Sequence, residues 1–123
     1  MVSIQKVNLA GKLLVATSLL FCATLVHSKT GGARHVDVTA KKFSFEPSEI
    51  NLKKGETVTL TLHSNDTTHG MVIEGLGVRI EAPKGQDKDI TLTPQVTGTF
   101  QGKCAHFCGK GHGSMILTVH VVE

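Results

Sequence analysis

The chain is 123 residues long, enough for one modest core and too short for two. Thirteen basic and ten acidic side chains leave a formal net charge of +3, spread without any basic patch, so neither nucleic acid nor an acidic membrane surface is implied as a partner. Trp and Tyr are both absent, and no internal repeat or low-complexity tract interrupts the chain.

Residues 1–28 read as an export signal. Lys6 and Lys12 form a positive start, and residues 13–26 are an uncharged, mostly apolar run ending at Val26, His27 and Ser28. That run is shorter than the ~20 residues a helix needs to cross a bilayer. Cleavage is therefore expected, with an uncleaved N-terminal anchor as the alternative and as the sole expected link to a membrane. Cys22 lies in the run behind the bulky Phe21, a poor lipoprotein signal, and is lost on cleavage. The exported protein then has 95 residues, a net charge of +1 once Lys6 and Lys12 are gone, and two cysteines, Cys104 and Cys108. Residues 29–34 read as a flexible tether and 35–123 as a single periplasmic or otherwise exported domain.

From His35 onward hydrophobicity has period two. Residues 56–63 set Val58, Leu60 and Leu62 against Thr57, Thr59 and Thr61, the alternation of a half-buried strand. Residues 89–93 and 115–122 alternate likewise, and shorter strands are expected at 36–40, 49–52, 71–73, 78–81 and 98–103. Turn signals separate them at Glu46-Pro47, Lys54-Gly55, Pro83-Lys84-Gly85 and Thr93-Pro94. With no amphipathic helix among them, these strands predict an all-β, Greek-key β-sandwich.

Residues 104–115 hold two thiols, two imidazoles and a thioether: Cys104, His106, Cys108, His112 and Met115. These are soft or borderline donors of the kind that select copper, zinc or iron. Gly109, Gly111 and Gly113 argue for a loop, since each costs about 1 kcal/mol relative to alanine inside a helix. The spacing C-x3-C with a nearby methionine is a poor match to closed zinc sets, and a thioether favours copper. A structural disulfide between Cys104 and Cys108 is the competing reading. His63 and His120 fall on polar strand faces and are expected at the surface, whereas Met71 is expected in the core.

The arrangement C-x3-C-x3-H-x2-M resembles the binuclear copper A loop of cytochrome c oxidase subunit II and of nitrous oxide reductase. That resemblance implies that the sulfurs of Cys104 and Cys108 bridge two copper ions. It further implies His112 as a ligand to one copper, Met115 as a weak ligand, and the backbone carbonyl of His106 as another. The family's second histidine lies upstream, and residues 66–73 resemble its loop with His69 in the ligand place. The segments around Phe43-Ser44-Phe45-Glu46-Pro47 and Lys54-Gly55-Glu56 are similar to the start of many cupredoxins, which implies that fold. Ligand loops from opposite sheets are then expected to meet at one end of the sandwich.

Three features depart from the subunit II pattern. His106 stands where that family usually has an acidic residue that helps bind magnesium, which puts the magnesium contact in question. With neither Trp nor Tyr, only a phenylalanine such as Phe107 can serve as the exposed aromatic near the copper. The helical hairpin of the oxidase subunit is missing, so the chain reads as a free-standing copper A-like domain.

The function expected is exported one-electron transfer through two coppers, to or from a cytochrome or a terminal oxidase or reductase. No nucleophile–base pair or paired carboxylates suggest a catalytic site, and the chain reads as an electron-transfer component in place of an enzyme. Two alternatives stand beside this: a Cu(I) carrier or assembly factor that meets copper-delivery proteins, and a mononuclear cupredoxin using His69, Cys108, His112 and Met115 with Cys104 idle.

Overall fold

The computed structural model describes residues 32–123, and the expected signal at 1–28 lies outside the described residues. Nine strands follow one another: β1 (Arg34–Lys41), β2 (Ser44–Glu46), β3 (Glu49–Lys53), β4 (Val58–Ser64), β5 (His69–Ile73), β6 (Val78–Ala82), β7 (Gln86–Leu92), β8 (Gly98–Lys103) and β9 (Ile116–Val122). Two short 3-10 turns, Glu74–Leu76 and His112–Ser114, are the only helical pieces among the described residues. Arg34, placed by sequence at the end of the tether, opens β1 opposite Val58.

The strands form a four-stranded sheet, β2-β1-β4-β7, and a five-stranded sheet, β3-β9-β8-β5-β6. β1 runs parallel to β4 and β3 parallel to β9, and the remaining pairs are antiparallel. Val38, Leu60 and Leu62 from the first sheet and Leu52, Ile73, Leu117 and Val119 from the second are almost fully buried between them. The period-two reading of β4 and β9 is thereby borne out, because the alternating apolar residues are the ones that face the opposing sheet. β2 and the first half of β7 escaped the sequence. Residues 86–89 are all exposed on an edge strand, so no buried face marks them.

One expectation is corrected. The strands that carry the metal-loop residues, β5, β8 and β9, are neighbours in the same five-stranded sheet, not members of opposite sheets. Of the connections that pass between the sheets, the β4–β5 connection, residues 65–68, is the one that crosses just ahead of His69.

Candidate metal centre

β8 and β9 form a long antiparallel hairpin whose last paired residues are Lys103 and Ile116. Immediately beyond, the Cys104 N–H donates to the Met115 carbonyl at 3.4 Å, closing the mouth of the loop 105–114. The loop leans on β5, with the Ala105 N–H donating to the Gly70 carbonyl at 3.2 Å. The fit there is tight: a Cβ on residue 70 would sit 3.1 Å from the His106 nitrogen and 3.3 Å from the Ala105 Cβ. Gly109 has φ +140°, a region that L side chains rarely adopt, and lies under the ring of Phe43.

This packing gathers the donors. One ligand atom each from His69, Cys104 and Cys108 lies within 4.8 Å of the others, and all three residues are buried. The two sulfurs are 4.0 Å apart, and both cysteines are free. Met115, 1% exposed, brings its Sδ to 3.4 Å from the Cys108 Sγ. The Cys104 thiol faces the His106 carbonyl at 3.1 Å, whereas the His106 imidazole turns outward to Glu81 Oε2 at 3.2 Å. His112 stands outside the tight three-residue cluster, its ring 5.8 Å from that of Phe107, itself 73% exposed.

Two imidazole nitrogens are unaccounted for. The Nδ1 atoms of His69 and His112 are buried and make no hydrogen bond. Leaving a buried polar atom unpaired typically costs about 1–3 kcal/mol, so each orphan calls for a partner. A metal ion supplies one: neutral imidazole binds through the lone pair that has no proton. The thiols point the same way. Burial pushes the Cys108 thiol up from its ordinary range, and the neighbouring Cys104 adds to the push. Two buried thiolates so close together need a bound cation to hold their charge. Among the described residues, the donor set therefore fits copper, with soft sulfur, imidazole and a thioether together.

Asp66 was not singled out by the sequence reading. Its Oδ1 accepts from His69 Nε2 at 2.7 Å, and its Oδ2 accepts from the Lys42 N–H at 2.7 Å. Partial burial opposes its charge, but these bonds outweigh it and hold the carboxyl below its ordinary range. The spacing D-x2-H in a turn was the available signal. Glu81 was missed as well, since its tie to His106 crosses 25 residues. His63 and His120, expected at the surface, are half-buried and each bonded to carboxylates: His63 to Asp37 and Asp87, His120 to Glu49. Met71 is fully buried as expected.

Residues 12–117 match the family model described as a cupredoxin-like domain. Cytochrome c oxidase subunit 2 of Thermus thermophilus is 30% identical over 88 residues, covering 72% of this chain but just 65% of the relative, so the chain spans a little under two thirds of that protein. The periplasmic domain of cytochrome oxidase subunit II from Bradyrhizobium japonicum superimposes with a TM-score of 0.67 at 20% identity, over 73% of this chain and 84% of that one. The metal-binding domain of the Cu(I)-exporting ATPase of Streptococcus pneumoniae does so with 0.59 at 24% identity, over 72% and 85%, and at these identities both likenesses speak for the fold alone. With its two-sheet fold and the family model agreeing over most of its length, the chain belongs to the cupredoxin-like domain family and is related to cytochrome c oxidase subunit 2.

Proposed function

We propose that the chain is an exported, copper A-like electron carrier that binds two copper ions. One observation carries the reading: two buried free thiols with sulfurs 4.0 Å apart cluster with His69, whose buried Nδ1 has no hydrogen-bond partner, and His112 of the same loop has a second such nitrogen. If the two sulfurs are shared between two ions, as in the copper A arrangement that the loop resembles, the pair of histidines would supply one imidazole for each. Met115 and the His106 carbonyl, each facing one of the sulfurs, would add a weak donor on either side. The name of the Thermus relative, cytochrome c oxidase subunit 2, supports the same reading.

Copper bound here would supply a one-electron couple. The protein's part is to hold the donors in place before metal arrives, because Cu(I) and Cu(II) prefer different geometries and a rigid set reduces the rearrangement with each electron. The residues around the site do this: the Gly70–Ala105 bond fixes the loop to β5, and the Cys104–Met115 bond fixes its two ends together. Phe107, exposed against the His112 ring, provides an apolar edge between solvent and the site at which a cytochrome, oxidase or reductase would meet the protein.

The alternatives fare less well against the same observations. A carrier that hands Cu(I) to a partner needs accessible thiols, and each cysteine is 7% exposed. A mononuclear site leaves Cys104 idle, yet its sulfur belongs to the tight cluster. The test is to load the purified protein with copper, count metal per chain and record the electron paramagnetic resonance spectrum. Two coppers sharing one unpaired electron, seen as a seven-line pattern, are expected. One copper with four lines overturns the binuclear reading in favour of a mononuclear site, and a silent, readily transferred Cu(I) overturns it in favour of a carrier.

A further inference from the structure

We propose that Asp66 is the positioning residue of the metal site, holding His69 with its proton on Nε2 so that the Nδ1 lone pair is the ring's one free donor. Neutral imidazole has one N–H and one lone pair, and an ionised carboxylate only accepts. The 2.7 Å contact between His69 Nε2 and Asp66 Oδ1 therefore puts the proton on Nε2. Nδ1 is left buried and without a hydrogen-bond partner. Partners of this kind orient metal-binding histidines and fix their tautomer.

The second oxygen of Asp66 does a separate job. Oδ2 takes the Lys42 N–H at 2.7 Å, across 24 residues, in the turn between β1 and β2. The next residue, Phe43, lies over Gly109 and Gly111 of the metal loop. One carboxylate thus ties a ligand histidine to the strap that covers the loop holding both cysteines. Asp66 itself stays at the rim, its side chain 36% exposed, while His69 is fully buried. The carboxylate is well placed to orient His69 and is not one of the three residues whose ligand atoms cluster.

The inference rests on the copper reading for its metal-loading arm only. In the metal-free protein, the expected imidazole spectrum of His69 is a single tautomer with a slowly exchanging Nε2 proton, seen by nitrogen-15 and proton resonance. Asp66→Ala is expected to lose that protected proton and to bind copper at least about tenfold more weakly. Asp66→Asn has one acceptor oxygen for the two N–H groups that the carboxylate serves, and is expected to keep the protected proton with its oxygen turned to Nε2 while losing the bond to the Lys42 N–H. A wild-type His69 protonated on Nδ1 overturns the proposal, as does an alanine variant that keeps both the protected proton and wild-type affinity. An asparagine variant that keeps the protected proton yet binds copper as weakly as the alanine variant also overturns it, since something other than the hydrogen bond to Nε2 would then govern binding. If the alanine variant does not fold, the wild-type tautomer and the asparagine variant still decide. Should the wild type take up no copper, the copper reading fails on its own and the metal-free spectrum still decides the role of Asp66.

Discussion

The contact between Gly70 and the metal loop gives a sharp test of how the site is built. Gly70 does not have a positive φ, so Gly70→Ala asks for no unusual backbone and its cost comes from packing alone. The added methyl would stand 3.1 Å from the His106 nitrogen and 3.3 Å from the Ala105 Cβ, a few tenths of an ångström inside ordinary van der Waals contact. Neither neighbour is the free end of a flexible side chain. The segment cannot simply retreat, because the Ala105 N–H is bonded to the Gly70 carbonyl at 3.2 Å. Overpacking of this kind costs about 1–3 kcal/mol. Replacing glycine also removes unfolded-state freedom, which returns about 0.4–1 kcal/mol. The net expectation is a loss of up to about 2.6 kcal/mol, which for a domain of this size is a fall in melting temperature of up to about 20 °C. Against an alanine control with the same unfolded-state gain, the packing cost of about 1–3 kcal/mol stands alone. The measurement is thermal unfolding of the metal-free protein, where metal binding does not mask the cost. Gly113→Ala is the control, as nothing lies within 4 Å of a Cβ at that position. A Gly70→Ala protein that melts no lower than the Gly113→Ala control would refute the claim that the loop is seated against β5.

Two further outcomes are expected. His63 donates to Asp37 and Asp87, and these bonds hold its pKa above 6.5. A raised value means the contribution is complete below pH 6.5 and is lost as pH rises through the folded-state value. The two aspartates are 68% and 63% exposed, so solvent screening limits the effect to about 0.5–1 kcal/mol. Urea midpoints of the wild type should fall more from acidic to mildly alkaline pH than those of His63→Gln, and parallel curves would rule the clamp out. Met115→Leu conserves volume at a fully buried position and should cost under about 1.5 kcal/mol, leaving the fold intact. It removes the thioether 3.4 Å from Cys108 Sγ, so the copper-loaded variant should keep two metals per chain with an altered resonance spectrum. An unchanged spectrum would remove Met115 from the donor set.

Much of the fold could be read from the sequence, because burial imposes a period on any strand with one covered face. β4 and β9 alternate cleanly for that reason, each with a face against the opposing sheet. β7 shows the limit: Gln86, Asp87, Lys88 and Asp89 are exposed on both faces, and only pairing with β4 makes them a strand. The candidate donors in 104–115 stood out since chemistry-bearing residues sit close in the chain. His69 became visible through resemblance, being 35 positions upstream of Cys104. Asp66 was within reach through its D-x2-H spacing to His69, whereas Glu81 and Phe43 act through contacts across loops, and no spacing in the chain announces a partner that folding alone brings near. The sheet assignment failed for a similar reason. Local alternation says that a strand has an inner face without saying which neighbours it will take.

That sheet assignment changes how the site should be understood. Had His69 and the cysteine loop come from opposite sheets, the distance between them would depend on how the two layers slide against each other. Instead β5 and β8 pair directly, Val72 opposite Lys103, and the hydrogen bond from Ala105 to Gly70 carries that contact past the end of β8. The spacing between His69 and the cysteines is thereby set by backbone bonds within one sheet. The other sheet acts from outside, through the 65–68 crossing that presents Asp66 and through the β1–β2 turn that lays Phe43 over the loop. Ser64, at the end of β4 and fully buried, anchors that crossing by donating to the Thr67 carbonyl. A site assembled this way separates two demands. The sheet sets the spacing between His69 and the cysteines, and the crossing sets imidazole orientation. Damage to the sheet contact at Gly70 should therefore lower the stability of the metal-free fold, whereas damage at Asp66 should change the His69 ring first.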